Sequence, residues 1–211
     1  MRILVFGDSV VLGTWDSLGG WVDRVKQHYH ELYVGSDGDE KVQVYNLGIG
    51  GEASERLLKR LQNEIKARWD DRWPTAIIIA TGTNDARLLG GKQLQATEEE
   101  FRENLAQIFT ISKQYTPLVL YISPNGFESD EVTFKGHIFS NNRLKNYVQM
   151  AREVTAEMQI PMLNIFEAIK NKPEYFGVDG VHPNSAGYEK LANIIQPEIE
   201  NLLSKASIVK A

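Results

Sequence analysis

Short apolar runs bounded by turn residues alternate along this chain with longer stretches whose apolar positions recur every three or four residues. Ile3–Phe6, Val42–Leu47, Ala76–Ala80, Leu118–Ile122 and Met162–Ile165 are runs of the first kind, stopped by Gly, Pro, Asn or Asp. Apolar character on both sides of so short a segment suits a strand buried on both faces, and it predicts five parallel strands. Between them, Gly20–Tyr33 carries Trp21, Val22, Val25, Tyr29 and Leu32 at helical spacing, and Ser54–Trp69 carries Leu57, Leu58, Leu61, Ile65 and Trp69 in the same way. Thr97 followed by Glu100 is a capping box that opens a helix running to about Tyr115, where Thr116-Pro117 stops it. Asn141–Met158 and Asn184–Leu203 supply two further helices, and Gly35-Ser36-Asp37-Gly38-Asp39 reads as a surface turn.

This β-α-β-α alternation predicts an α/β fold: a three-layer α/β/α sandwich whose five-stranded parallel sheet runs in the flavodoxin-like order 2-1-3-4-5. No linker or repeat interrupts it, so a single domain over residues 1–211 is expected, fraying after about residue 203. Sheets of this kind bind ligands beyond the carboxyl ends of their strands, where the strand order reverses.

Composition narrows the chemistry available there. With no cysteine, thiolate metal sites, iron–sulfur clusters and a cysteine nucleophile are excluded. Four histidines, at positions 28, 30, 137 and 182, make a short list of neutral-pH bases. A net charge of −5, from 23 Lys+Arg against 28 Asp+Glu, offers no footprint for a nucleic-acid partner. The apolar runs are too short for a membrane span or a signal-peptide core, so a cytoplasmic protein without a membrane partner is expected.

Four segments fall at the predicted carboxyl edge: Gly7-Asp8-Ser9, the glycine-rich Asn46–Gly51, Gly82-Thr83-Asn84-Asp85, and Asp179-Gly180-Val181-His182. Each alone is ordinary turn chemistry. Together they hold a hydroxyl nucleophile, an imidazole base, a carboxylate to orient it, and amide donors for an oxyanion. Read this way, Ser9, Asp179 and His182 are the candidate catalytic residues, with a glycine N–H of the second segment and the Asn84 side-chain amide as oxyanion donors. Gly48, Gly50 and Gly51 are the glycines that could supply it. Asp8 and Asp85 are read as loop braces, and the acidic run Glu98–Glu100 as the N-terminal turn of a helix.

In these blocks the chain resembles the SGNH (GDSL-type) serine hydrolases, with Ser9, Gly51, Asn84 and His182 in the family's order, which implies an oxyanion hole of the Ser9 and Gly51 backbone N–H groups and the Asn84 side chain, with Gly48 and Gly50 as alternatives to Gly51. The resemblance runs from residue 1 to about 203. Val10 stands where the family's name-giving motif has Leu, and Glu52 where its members commonly carry Asp. It implies an esterase that cleaves small acyl esters through an acyl-enzyme, with no cofactor and no metal. A flavodoxin-like binding module without turnover is the rival reading, weakened by the absence of Gly-x-x-x-x-Gly-Lys-Ser/Thr and Gly-x-Gly-x-x-Gly fingerprints. Acyl transfer or carbohydrate deacetylation by the same residues is the other alternative.

Elsewhere the expectations are plain. His28 and His30, two apart on a helix, face different ways and are read as solvated. The segment Asn125–Asn142 is read as a polar loop over the active edge, with His137 a loop residue. Trp15 and Trp21 follow the nucleophile and could line an acyl pocket, but are read as core residues.

Overall fold

The computed structural model describes residues 1–208. Strands β1 (Arg2–Gly7), β2 (Gln43–Gly48), β3 (Thr75–Ala80), β6 (Val119–Ile122) and β9 (Met162–Leu163) form one sheet in the order β2-β1-β3-β6-β9, all neighbours parallel. Counted alone, these five strands run 2-1-3-4-5, the order predicted.

Alternation along the central strands divides the core in two. Leu4 and Phe6 of β1 and Ile77 and Ile79 of β3 face one side, against α3 (Ser54–Arg68), α4 (Glu98–Tyr115) and α5 (Asn141–Glu157). Ile3, Val5, Ala76 and Ile78 face the other, against α2 (Gly20–Gly35) and α6 (Ser185–Ile208). All eight of these strand side chains are fully buried. At roughly 1.5–3 kcal/mol for each large aliphatic or aromatic side chain removed from water, these two layers dominate the stability of the sandwich. The Thr97–Glu100 capping box is formed, with each side chain bonded to the other residue's backbone N–H. Helix α6 continues past the expected end near residue 203 to Ile208, and residues 209–211 lie outside the described part. Among the described residues, no helix is long and apolar enough to cross a membrane.

The segment 125–142 differs from the polar loop expected. Its middle is a hairpin of β7 (Glu131–Phe134) and β8 (His137–Ser140), and α5 already begins at Asn141. The two turn residues Lys135 and Gly136 have φ of 50° and 75°, the pair of left-handed conformations that a tight hairpin turn needs. Val132 and Phe139 anchor the hairpin in the core. On its other edge β8 pairs with β4 (Leu88–Leu89), which pairs with β5 (Gln93–Leu94), giving a second, four-stranded sheet.

Candidate active site

Strand β1 ends where the backbone must pass close to its neighbours. A Cβ at Gly7 would lie 2.2 Å from the Ala80 carbonyl oxygen and 2.5 Å from the Val11 side chain. Glycine therefore lets the chain turn at once into α1 (Ser9–Leu12), a single turn capped by Asp8, whose carboxylate accepts from the Val10 N–H at 2.9 Å. Ser9 stands on its first residue, nearly buried.

At the far end of the chain, the turn before α6 carries both partners of that serine. Oδ1 of Asp179 accepts from the backbone N–H groups of Val181 and His182, both at 2.9 Å, which closes the turn on its own carboxylate. Oδ2 lies 2.7 Å from His182 Nδ1, and His182 Nε2 lies 2.7 Å from Ser9 Oγ. Burial pushes the Asp179 carboxyl up, but the side-chain and backbone hydrogen bonds of His182, the Val181 N–H and the charge on His182 outweigh it and hold the pKa at about 2. With Asp179 ionised and bonded to Nδ1–H, Nε2 is the imidazole nitrogen left to accept from the hydroxyl.

The glycine-rich turn after β2 can be resolved residue by residue. Gly48 is a packing residue, since its N–H donates to Asn46 and a Cβ there would lie 2.3 Å from the Leu12 nitrogen. Gly50 and Gly51 both line the pocket around Ser9. Among the described residues, nothing accepts from the backbone N–H of Gly51 or of Ser9. Glu52 next to it is buried, paired with Arg60 at 2.5 Å.

Asn84 also lines the pocket, and its amide is engaged on both sides. Nδ2 donates to Asp8 Oδ2 at 3.2 Å and to the Glu52 carbonyl at 3.1 Å, while Oδ1 accepts from Arg87 Nη1 at 2.9 Å. Asp8 and Asp85 do brace loops: the Asp85 carboxylate accepts from both the N–H and the hydroxyl of Ser54 at the start of α3. Burial pushes both carboxyls up, that of Asp85 to about 6.

A cavity of about 500 Å³ opens beside Ser9, with Trp15, Arg87, Phe134, His137 and Phe139 in its walls. Trp15 is thus a half-exposed wall residue, whereas Trp21 is buried in the core as expected. The Phe134 ring meets the His182 ring edge-on at 5.8 Å. His137 reaches the cavity from the hairpin, its Nδ1 accepting from the Gly90 N–H at 3.3 Å. Arg87 was not singled out from the sequence; its place, three residues past Asn84 on the same turn, is the signal that could have found it. His28 pairs with Glu200 on the molecule's surface at 3.3 Å and His30 is exposed. Among the described residues, no three His, Cys, Asp or Glu side chains are grouped so as to hold a metal ion.

Known proteins share this arrangement of strands. The model of the GDSL-like lipase/acylhydrolase family matches residues 5–190. The chain is 24% identical over 208 residues to thioesterase 1/protease 1/lysophospholipase L1 of Escherichia coli, covering 97% of this chain and 86% of that one. A lipase/acylhydrolase from Enterococcus faecalis superposes with a TM-score of 0.70 at 30% identity, over 95% of each chain. A catalytic mutant of an acetylxylan esterase from Geobacillus stearothermophilus has the same fold, with a TM-score of 0.71 at 19% identity over 94% of this chain and 93% of that one.

Proposed function

The chain belongs to the GDSL-like lipase/acylhydrolase family, and from that premise we propose that it cleaves small acyl esters with Ser9 as nucleophile, His182 as general base and acid, and Asp179 as the carboxylate that orients the imidazole. The observation that carries this reading is the unbroken line from Ser9 Oγ through both nitrogens of His182 to Asp179, with each step at 2.7 Å.

The chemistry follows from that line. His182 Nε2 takes the hydroxyl proton as Ser9 Oγ bonds to the acyl carbon, and the carbonyl electron pair moves onto oxygen. The unpaired N–H groups of Ser9 and Gly51 are available to that oxyanion. The Asn84 amide joins them, since its two existing bonds are long and a small turn redirects a hydrogen. Collapse breaks the bond to the alcohol, which leaves with the proton held on Nε2, and the acyl group stays on Ser9. Water then repeats the sequence: Nε2 takes its proton, its oxygen attacks the acyl carbon, and Ser9 Oγ leaves with the proton returned. Throughout, the Asp179 charge stabilises the imidazolium.

The test uses p-nitrophenyl acetate. The wild-type protein is expected to release nitrophenol and to carry a transient acetyl group on Ser9, detected by mass spectrometry after rapid quenching. Ser9→Ala should do neither, and equal rates from the two proteins would refute the assignment.

A further inference from the structure

The Asp179 carboxylate has a donor that the reaction above leaves unused. Trp15 Nε1 donates to Oδ2 at 2.5 Å, the same oxygen that bonds His182 Nδ1. The residue is 54% exposed, so burial explains little of why a tryptophan stands there. Its backbone has φ of 70°, a left-handed conformation that disfavours any residue bearing a Cβ.

The loop around Trp15 is tied down on several sides. Tyr188 Oη donates to the Thr14 carbonyl at 2.9 Å, and the Asp16 carboxylate accepts from the Leu18 and Gly20 N–H groups and pairs with Arg24. Gly177 lies across from the ring, close enough that a Cβ there would stand in ordinary van der Waals contact with Trp15, at 3.4 Å. A strained residue, held from both neighbours and aimed at one carboxylate oxygen, is a device for placing that N–H.

We infer that Trp15 is a positioning residue: its indole N–H holds Asp179 Oδ2 in line with His182 and takes up part of the carboxylate's charge, so that the imidazole releases its proton more readily. This rests on reading Ser9, His182 and Asp179 as the catalytic line. The sign follows from hydrogen-bond competition. Without the indole, Oδ2 becomes a stronger acceptor for Nδ1–H, and the imidazolium is favoured. Other groups act on the same pair and stay in place when Trp15 is changed. They are Asp8 behind His182, Glu128 against Gly180, the Tyr188 phenol of α6, Lys135 over Phe134 on the hairpin, and the Asp16–Arg24 pair in the loop.

The experiment reads His182 directly. Protein labelled with ¹⁵N-histidine is titrated by NMR as wild type, Trp15→Phe and Trp15→Gln, with the resonance assigned from His182→Gln. Trp15→Phe keeps an aromatic ring without the donor, and Trp15→Gln keeps a donor of similar reach without the ring. The His182 midpoint is expected to rise by about half a pH unit in Trp15→Phe and to stay within about 0.2 of wild type in Trp15→Gln. The acid limb of kcat/KM should move in step. An unchanged midpoint in Trp15→Phe, or an equal rise in both variants, overturns the inference. Full activity in Ser9→Ala would instead overturn the catalytic reading, and it would leave the titration result intact.

Discussion

Arg87 Nη1 donates to Asn84 Oδ1 and thereby decides which way the amide faces, with its NH₂ toward Asp8, Glu52 and the pocket. The reversed amide would put its oxygen against a carboxylate and a carbonyl and its NH₂ against a guanidinium. Gln95 steadies Arg87 in turn, accepting from Nη2 at 3.1 Å. Asn84→Ala is expected to lower kcat by about 10²–10³ with little change in KM, the usual cost of an oxyanion donor. Arg87→Met should cost less, about tenfold in kcat, because the donor remains and only its orientation is released. Steady-state kinetics on one aryl ester separates the two.

Asp179→Asn keeps the shape of the turn but removes the charge and presents the wrong group to Nδ1. A fall in kcat of roughly 10³–10⁴ is expected, with the p-nitrophenyl acetate KM little altered. In the wild type the carboxylate's pKa of about 2 lies below its unfolded value of about 4. Whatever this ion contributes to folding is therefore fully present above about pH 4 and is lost as pH falls toward 2. Acid unfolding followed by circular dichroism should show the wild type converging on Asp179→Asn across that interval.

Asp85 has the opposite sign. Burial keeps its proton on in the folded chain up to about pH 6, whereas the unfolded chain releases it near pH 4. The folded state then binds more protons between these values, so this group makes stability fall as pH rises through the window, by roughly 2–3 kcal/mol in all. Asp8, also pushed up by burial, acts in the same direction. Asp85→Asn starts less stable, having weakened the bonds to Ser54, and should gain on the wild type between pH 4 and 6. Thermal melts at half-unit steps check this, and a constant gap would contradict it.

Phe139 is anchored in the core yet forms part of the cavity wall. Phe139→Ala should widen the cavity and raise the ratio of butyrate to acetate kcat/KM by about tenfold, the scale of a methylene or two in an apolar pocket. It should also cost about 3–5 kcal/mol of stability, the usual penalty for truncating a buried phenylalanine. A graded series of p-nitrophenyl esters and a urea titration measure both.

Much of the sandwich was legible because its strands are buried on both faces and its helices on one, so periodicity alone separates them. Where the code is shorter, less could be read. The hairpin over 131–140 alternates only weakly, and its Lys135-Gly136 turn lacks the Asn-Gly or Asp-Gly pairs that announce such turns. Ser9 stood out because it directly follows the end of a strand, and Asp179 and His182 because they share one turn just ahead of the last helix, each in the right chemical company. Arg87 and Trp15 did not, because an arginine's fork and a tryptophan's N–H acquire their meaning from partners that only the folded chain brings near. For the glycine-rich turn, sequence left three choices, and steric room with hydrogen bonding removed Gly48.

Gly7 of β1 lies level with Gly48 of β2 and Ala80 of β3, so the top rung of the sheet beneath Ser9 is almost bare of side chains. A floor made of main chain has no rotamers to choose among and no methyl groups to repack. Changes in the size of interior residues lower down should therefore cost the protein melting temperature well before they cost it turnover, whereas one added methyl at Gly7 or Gly48 should do the reverse of sparing the reaction. The molecule is thus tolerant in its bulk and brittle along a single rung.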